Sequence, residues 1–126
     1  MTDPQYYNDV TASKFNVMAE HHLANSKIEF AFITGDISDK GGNSSYWDLF
    51  YKQSSLSKMM YATTVGNHEY YDKGTTTVDN SIYNNYFYNP QNGPESVLGS
   101  SYYIVYNNAL FIMLDSEVKG KLTEQQ

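Results

Sequence analysis

The sequence predicts an α/β fold, and three observations carry that expectation. Apolar periodicity alternates between helix-like and strand-like stretches through the first half of the chain. Each strand-like run is short, rich in β-branched or aromatic residues, and followed at once by glycine and a polar residue. These pairs are Gly35-Asp36 after one run and Gly66-Asn67 after the next. The 126 residues are 40% hydrophobic and 16% aromatic, enough to bury one core and too few for more than one domain. Alternation of this kind implies parallel strands joined by right-handed crossovers.

The elements follow in order. Residues 2–5 (TDPQ) open the chain with no strand ahead of them, and a strand before Met1 would complete the rhythm. Residues 8–24 read as a helix. Asn8 is its N-cap, Val10, Phe15, Met18, Ala19, His22 and Leu23 share a face, and Asn25 closes it in a left-handed turn. Residues 28–34 (IEFAFIT) form a buried strand and residues 35–43 (GDISDKGGN) a loop rich in turn formers. Ser45-x-x-Asp48 has the form of a capping box and starts a second helix, whose apolar side is Trp47, Phe50, Tyr51, Leu56 and Met59. Residues 61–65 (YATTV) are the next strand, running directly into Gly66-Asn67-His68-Glu69.

Residues 70–99 break the rhythm. They read as a long irregular excursion with one short helix around 78–87. Residues 101–106 and 109–115 then flank Asn107-Asn108, a hairpin signal because asparagine tolerates positive φ. Residues 122–126 (LTEQQ) have the form of a first helical turn capped by Thr123.

Charge and composition exclude several functions. Fourteen acidic residues against eight basic ones give a net charge of −6, so there is no basic stripe for a nucleic-acid backbone. All the basic residues are lysines, which rules out a guanidinium clamp on phosphate within this chain. A phosphate here must be met by metal ions, backbone N–H groups, His or Lys. Cysteine is absent, so disulfides and thiolate metal sites are excluded and the redox compartment stays open. No apolar run has the length of a membrane span and no signal peptide is visible, which leaves localisation undetermined.

Asp3, Asp36 and Asn67 lie at or just past the carboxyl ends of strands, with the strand for Asp3 falling before Met1. Ligands of open parallel sheets collect at that end. Oxygen donors from Asp and Asn suit hard or borderline cations, and a carboxylate such as Asp36 can bridge two of them. Two ions about 3.5–4 Å apart clamp a phosphoryl group for in-line displacement. His68 is placed to stabilise charge or protonate a leaving oxygen, with Asp39 and Glu69 as candidates to orient it. Other readings stand beside these. Asp36 alone reads equally as a turn residue. His21 and His22 read as helix-end charge favoured by the macrodipole. The tyrosine- and asparagine-rich stretch 70–106 serves either as a sugar-stacking platform or as packing for an irregular loop.

The motifs GDISD and GNHE, each after a strand, resemble those of the calcineurin-like metallophosphoesterase superfamily. DPQ at Asp3, the hairpin SSYYIVYNNALFIMLDS and the closing LTEQQ resemble its purple-acid-phosphatase-like branch. The resemblance covers nearly the whole chain. It implies a two-sheet core flanked by helices (αββα), of which residues 1–126 would be the N-terminal part, lacking the first strand and the C-terminal half. It implies hydrolysis of a phosphate monoester or diester by a hydroxide held between two divalent or trivalent ions (Fe, Mn or Zn). Asp3 matches the first metal's carboxylate, Asp36 the bridging carboxylate, Asn67 the second metal's amide ligand, and His68 the histidine that acts on phosphate and leaving group. Two positions depart from the pattern: Gln5 stands where the branch has a histidine ligand, and Asp39 where true purple acid phosphatases have a metal-binding tyrosine. The purple chromophore is therefore not expected, and Gln5 and Asp39 become candidate substitutes in the first metal's shell. The family's remaining histidine ligands have no counterpart here, since the other histidines are His21 and His22. The expected partner is a small phosphate ester, and incomplete sheets imply self-association through exposed edges. The alternative function is a non-catalytic ligand- or carbohydrate-binding module on a degenerate phosphoesterase fold.

Overall fold

The computed structural model of the chain describes residues 1–71 and 81–117. The helix expected at 122–126 and the first residues of the one expected at 78–87 lie outside those described. The order of the larger elements is α1 (Asp9–Asn25), β1 (Phe30–Thr34), α2 (Ser44–Tyr51), β2 (Met60–Thr64), α3 (Ser81–Tyr86), β3 (Tyr102–Tyr106) and β4 (Ala109–Met113). The α/β class is as the alternation implies. β1 and β2 pair in parallel, with Ile33 opposite Thr63, and β3 and β4 form an antiparallel hairpin. Asn107 turns that hairpin at φ +52°, in the conformation its side chain tolerates.

Asn8 does cap α1: its Oδ1 accepts from the Val10 and Thr11 amides at 3.0 Å each. The buried face, however, is Ala12, Phe15 and Ala19, while Val10 and Met18 are exposed. Two alanines among the three buried residues explain the misreading, because small side chains that let a helix approach its neighbours give little periodic signal. Asn25 stays inside the helix, which ends at Ser26 in extended backbone rather than in a left-handed turn. The cap of α2 also differs. Asn43, not Ser45, supplies the oxygen, accepting from the Ser45 amide at 3.3 Å. The helix stops at Tyr51, so buried Leu56 belongs instead to a 3-10 turn, Ser54–Lys58.

The core lies on one face of the β1–β2 pair, where Ile33 and Val65 meet Phe15 of α1 and Trp47 and Phe50 of α2. The opposite face is aromatic. Phe30 and Phe32 pack on Phe111 of β4, with ring centroids 5.6 and 5.0 Å apart, and so lay the second sheet against the first. The outward face of the hairpin carries exposed Tyr103, Val105, Leu110 and Ile112.

The outer edge of β2 is closed by side chains. The Tyr102 hydroxyl accepts from the Thr63 amide at 3.1 Å and donates to the Thr63 carbonyl at 2.7 Å, and the Tyr83 hydroxyl donates to that carbonyl at 3.1 Å. Asn92 does the same for β3: its amide group donates to the Tyr103 carbonyl and accepts from the Tyr103 amide, both at 3.0 Å. Residues 1–6 run along the carboxyl end of β1 without forming a regular strand. Thr34 N–H donates to the Met1 carbonyl, and the Asp3, Gln5 and Tyr6 amides donate in turn to the carbonyls of Gly35, Asp36 and Ile37. Tyr6, fully buried between the rings of Phe15 and Phe50, anchors that segment.

Candidate metal centre

The loops after β1 and β2 meet at the carboxyl end of the sheet, and glycines let them touch. Gly35 has φ +87°, and a Cβ there would lie 2.6 Å from the Gly66 nitrogen. A Cβ on Gly66 would in turn lie 2.7 Å from the Asp36 nitrogen and collide with Oδ1 of Asp36. Both glycines of the two motifs are thus required by this approach.

Glu69 joins the loops. It is 1% exposed, and its carboxylate gathers four backbone amides: Ile37 and Ser38 on Oε1 at 2.8 and 3.2 Å, Asp36 and Gly66 on Oε2 at 2.8 and 2.7 Å. Burial pushes its pKa up to about 7 against the pull of these N–H groups. Sequence reasoning placed Glu69 beside His68 as an orienter; its carboxylate binds backbone instead. The signal for that role was present in the spacing. A carboxylate three residues after Gly66 reaches back to the Gly66 amide as in a capping box, here over the 3-10 turn Asn67–Tyr70.

This clamp brings three of the four expected site residues together. Asp36 accepts from the His68 amide at 3.0 Å through Oδ1, and Asn67 lies between the two residues that touch Asp36. Asp3 arrives from the N-terminal segment with its side chain hydrogen-bonded to Asp36. Burial holds the Asp36 carboxyl above its ordinary value, with Asp3 adding to the effect. Asp3 sits below its ordinary value because the Thr2 hydroxyl and Asp36 hydrogen-bond to it. Two acids in such contact share one proton, and a cation in its place would relieve the same repulsion. Asp3, Gln5 and Asp36 have φ of +50°, +40° and +51°, in the left-handed region.

The imidazole of His68 is held from both sides. Nδ1 lies 2.6 Å from the Asp39 carbonyl, with the Asp39 carboxylate 3.8 Å away, and Nε2 lies 3.4 Å from the side-chain nitrogen of Gln5. Nδ1–H donating to the carbonyl leaves Nε2 as the ring atom facing Gln5. The two residues that depart from the expected motif, Gln5 and Asp39, therefore both face His68. Tyr71 was not foreseen. Its hydroxyl accepts from the Asn67 side-chain amide at 2.8 Å, and its ring centroid is 5.1 Å from that of His68.

Among the described residues no three of His, Cys, Asp and Glu cluster tightly enough to hold a metal ion. Two adjacent carboxylates and the Asn67 amide are oxygen donors that fit a hard or borderline cation. His21 and His22 stand apart at the end of α1 with their rings 5.7 Å from each other. No helix among the described residues is long and apolar enough to cross a membrane.

Compared with known proteins, residues 2–121 match the family model described as calcineurin-like phosphoesterase. No curated protein and no solved structure gives a match.

Proposed function

The chain belongs to the calcineurin-like phosphoesterase family, and from that premise we propose that it carries residues of a two-metal site for hydrolysis of phosphate monoesters or diesters. The observation that carries this reading is the Glu69 clamp. A single buried carboxylate fixes Asp36 and the Asn67–His68 pair against each other at the end of the sheet where ligands collect. In the proposal Asp3 and Asp36 would hold the first ion, Asp36 would be shared with the second, and Asn67 would serve the second. Bound ions, Fe, Mn or Zn, would supply Lewis-acid polarisation of the phosphoryl oxygen and ionisation of a water.

The chain's own part is positional. The Asp39 carbonyl keeps the proton of His68 on Nδ1, so Nε2 is the atom that meets substrate, and it transfers a proton to the leaving oxygen when charged. Gln5, at 3.4 Å from Nε2, must move aside for that contact. We assign the purple-acid-phosphatase-like branch from the DPQ and hairpin motifs, without its chromophore, because Asp39 stands at the tyrosine position. In the proposal, self-association runs through exposed sheet edges.

Calorimetric titration of the chain with Mn²⁺ tests the reading. One weak site is expected, with no appreciable turnover of an aryl phosphate, and Asp36→Asn abolishes the binding. Binding undiminished in Asp36→Asn would remove Asp36 from the metal shell.

A further inference from the structure

We infer that Tyr71 is a positioning residue for the metal centre: its hydroxyl holds the Asn67 amide in the orientation that leaves the carbonyl oxygen to the cation. This rests on the reading of Asn67 as a ligand. An asparagine side chain has one end that can ligate a cation and one that cannot, and the two ends are almost the same size. Something must choose between them. In the structure the Asn67 side-chain nitrogen donates to the Tyr71 hydroxyl at 2.8 Å, which occupies the nitrogen end and leaves the oxygen end over.

The backbone that carries the hydroxyl is hydrogen-bonded on both sides. The Tyr71 amide donates to the His68 carbonyl at 3.1 Å, the Gly41 amide donates to that same carbonyl at 2.8 Å, and the Gly42 amide donates to the Tyr71 carbonyl at 2.7 Å. Tyr71 is thus tied to both site loops, and its ring lies against the imidazole of His68. With a cation on the amide oxygen, the amide N–H becomes a stronger donor and the tyrosine oxygen its acceptor, so the contact strengthens on loading. Tyr71 is 38% exposed, so removing its hydroxyl leaves no buried orphan and need not disturb the fold.

The test uses Mn²⁺ alone, titrated into the chain and three variants: Tyr71→Phe, Asn67→Ala and the pair together. Tyr71→Phe keeps the ring beside His68 and deletes only the hydroxyl. It is expected to weaken Mn²⁺ about tenfold, the usual effect of removing a partner that orients a ligand. Asn67→Ala should weaken binding at least as much, and the double variant should be no weaker than Asn67→Ala, because the hydroxyl acts through the amide. In the metal-free chain, the Asn67 side-chain amide signals in a ¹H–¹⁵N spectrum should shift on Tyr71→Phe. If Asn67→Ala weakens Mn²⁺ and Tyr71→Phe does not, the inference fails while the ligand reading stands. If Asn67→Ala leaves Mn²⁺ binding unchanged, or the wild-type chain takes up none, the ligand reading fails and takes the inference with it.

Discussion

The clamp at the loops and the closed edge of β2 face the same physical problem with different solutions. Backbone groups left over by secondary structure must find partners when buried. At the loops, all four groups are N–H donors, and a single anion, Glu69, accepts them. At Thr63 one N–H and one C=O are left, and a neutral hydroxyl, Tyr102, serves both because it donates and accepts. The kind of orphan group decides the kind of side chain. The charged solution gathers more groups but depends on pH, whereas the neutral one does not.

The largest expected effect comes from breaking the charged solution. Glu69→Gln replaces one acceptor oxygen with a donor, so two buried amides face an NH₂ group. Urea unfolding at pH 8 should show a loss of about 3–5 kcal/mol. A loss under about 1 kcal/mol would mean that the loops hold together without the clamp.

The pH dependence comes next. Glu69 releases its proton at about 7 in the folded chain and near 4.5 in the unfolded one. Between those values the unfolded chain has lost the proton while the folded chain still holds it, so rising pH favours unfolding. The contribution is complete below 4.5 and is lost as pH rises through about 7. It amounts to about 3 kcal/mol. Measured stability of the wild type minus that of Glu69→Gln should carry this slope, and a flat difference would contradict it.

The neutral edge sharpens the contrast. Tyr102→Phe orphans the Thr63 amide but leaves its carbonyl with Tyr83, so a loss of about 1–2 kcal/mol is expected, equal at pH 5 and pH 8. Asn92→Asp keeps the acceptor for the Tyr103 amide and removes the donor to its carbonyl at an exposed edge. About 0.5–1 kcal/mol should be lost in the same assay. An effect of Asn92→Asp as large as that of Glu69→Gln would erase the distinction between the two solutions.

The same contrast explains what could be read before the fold was known. The strands, the hairpin and the places of Asp36, Asn67 and His68 just past strand ends are local: each follows from a short run and the turn residue after it. The cap at Asn8 is equally local. Partners distant in sequence were not legible. Beyond its short reach back to Gly66, Glu69 meets three amides more than thirty residues away, and Tyr102 and Tyr83 reach Thr63 across 39 and 20 positions. No spacing rule reports such pairs. The buried face of α1 was misread because alanines carry its contact. Asp39, expected as an orienter of His68, does lie beside its ring, whereas the approach of Gln5 to the same ring had no local signal.

Asp3, Gln5 and Asp36 all sit in left-handed backbone, which glycine adopts more readily than any of them, by up to about 1 kcal/mol at Gln5 and by less at the two aspartates. A library of this chain sorted for heat resistance alone should enrich glycine at these three positions. The sturdier survivors would have lost both carboxylates at the centre. A thermostability screen run without any substrate would therefore mark the site by what it discards, and engineering for robustness would have to hold positions 3, 5 and 36 fixed from the outset.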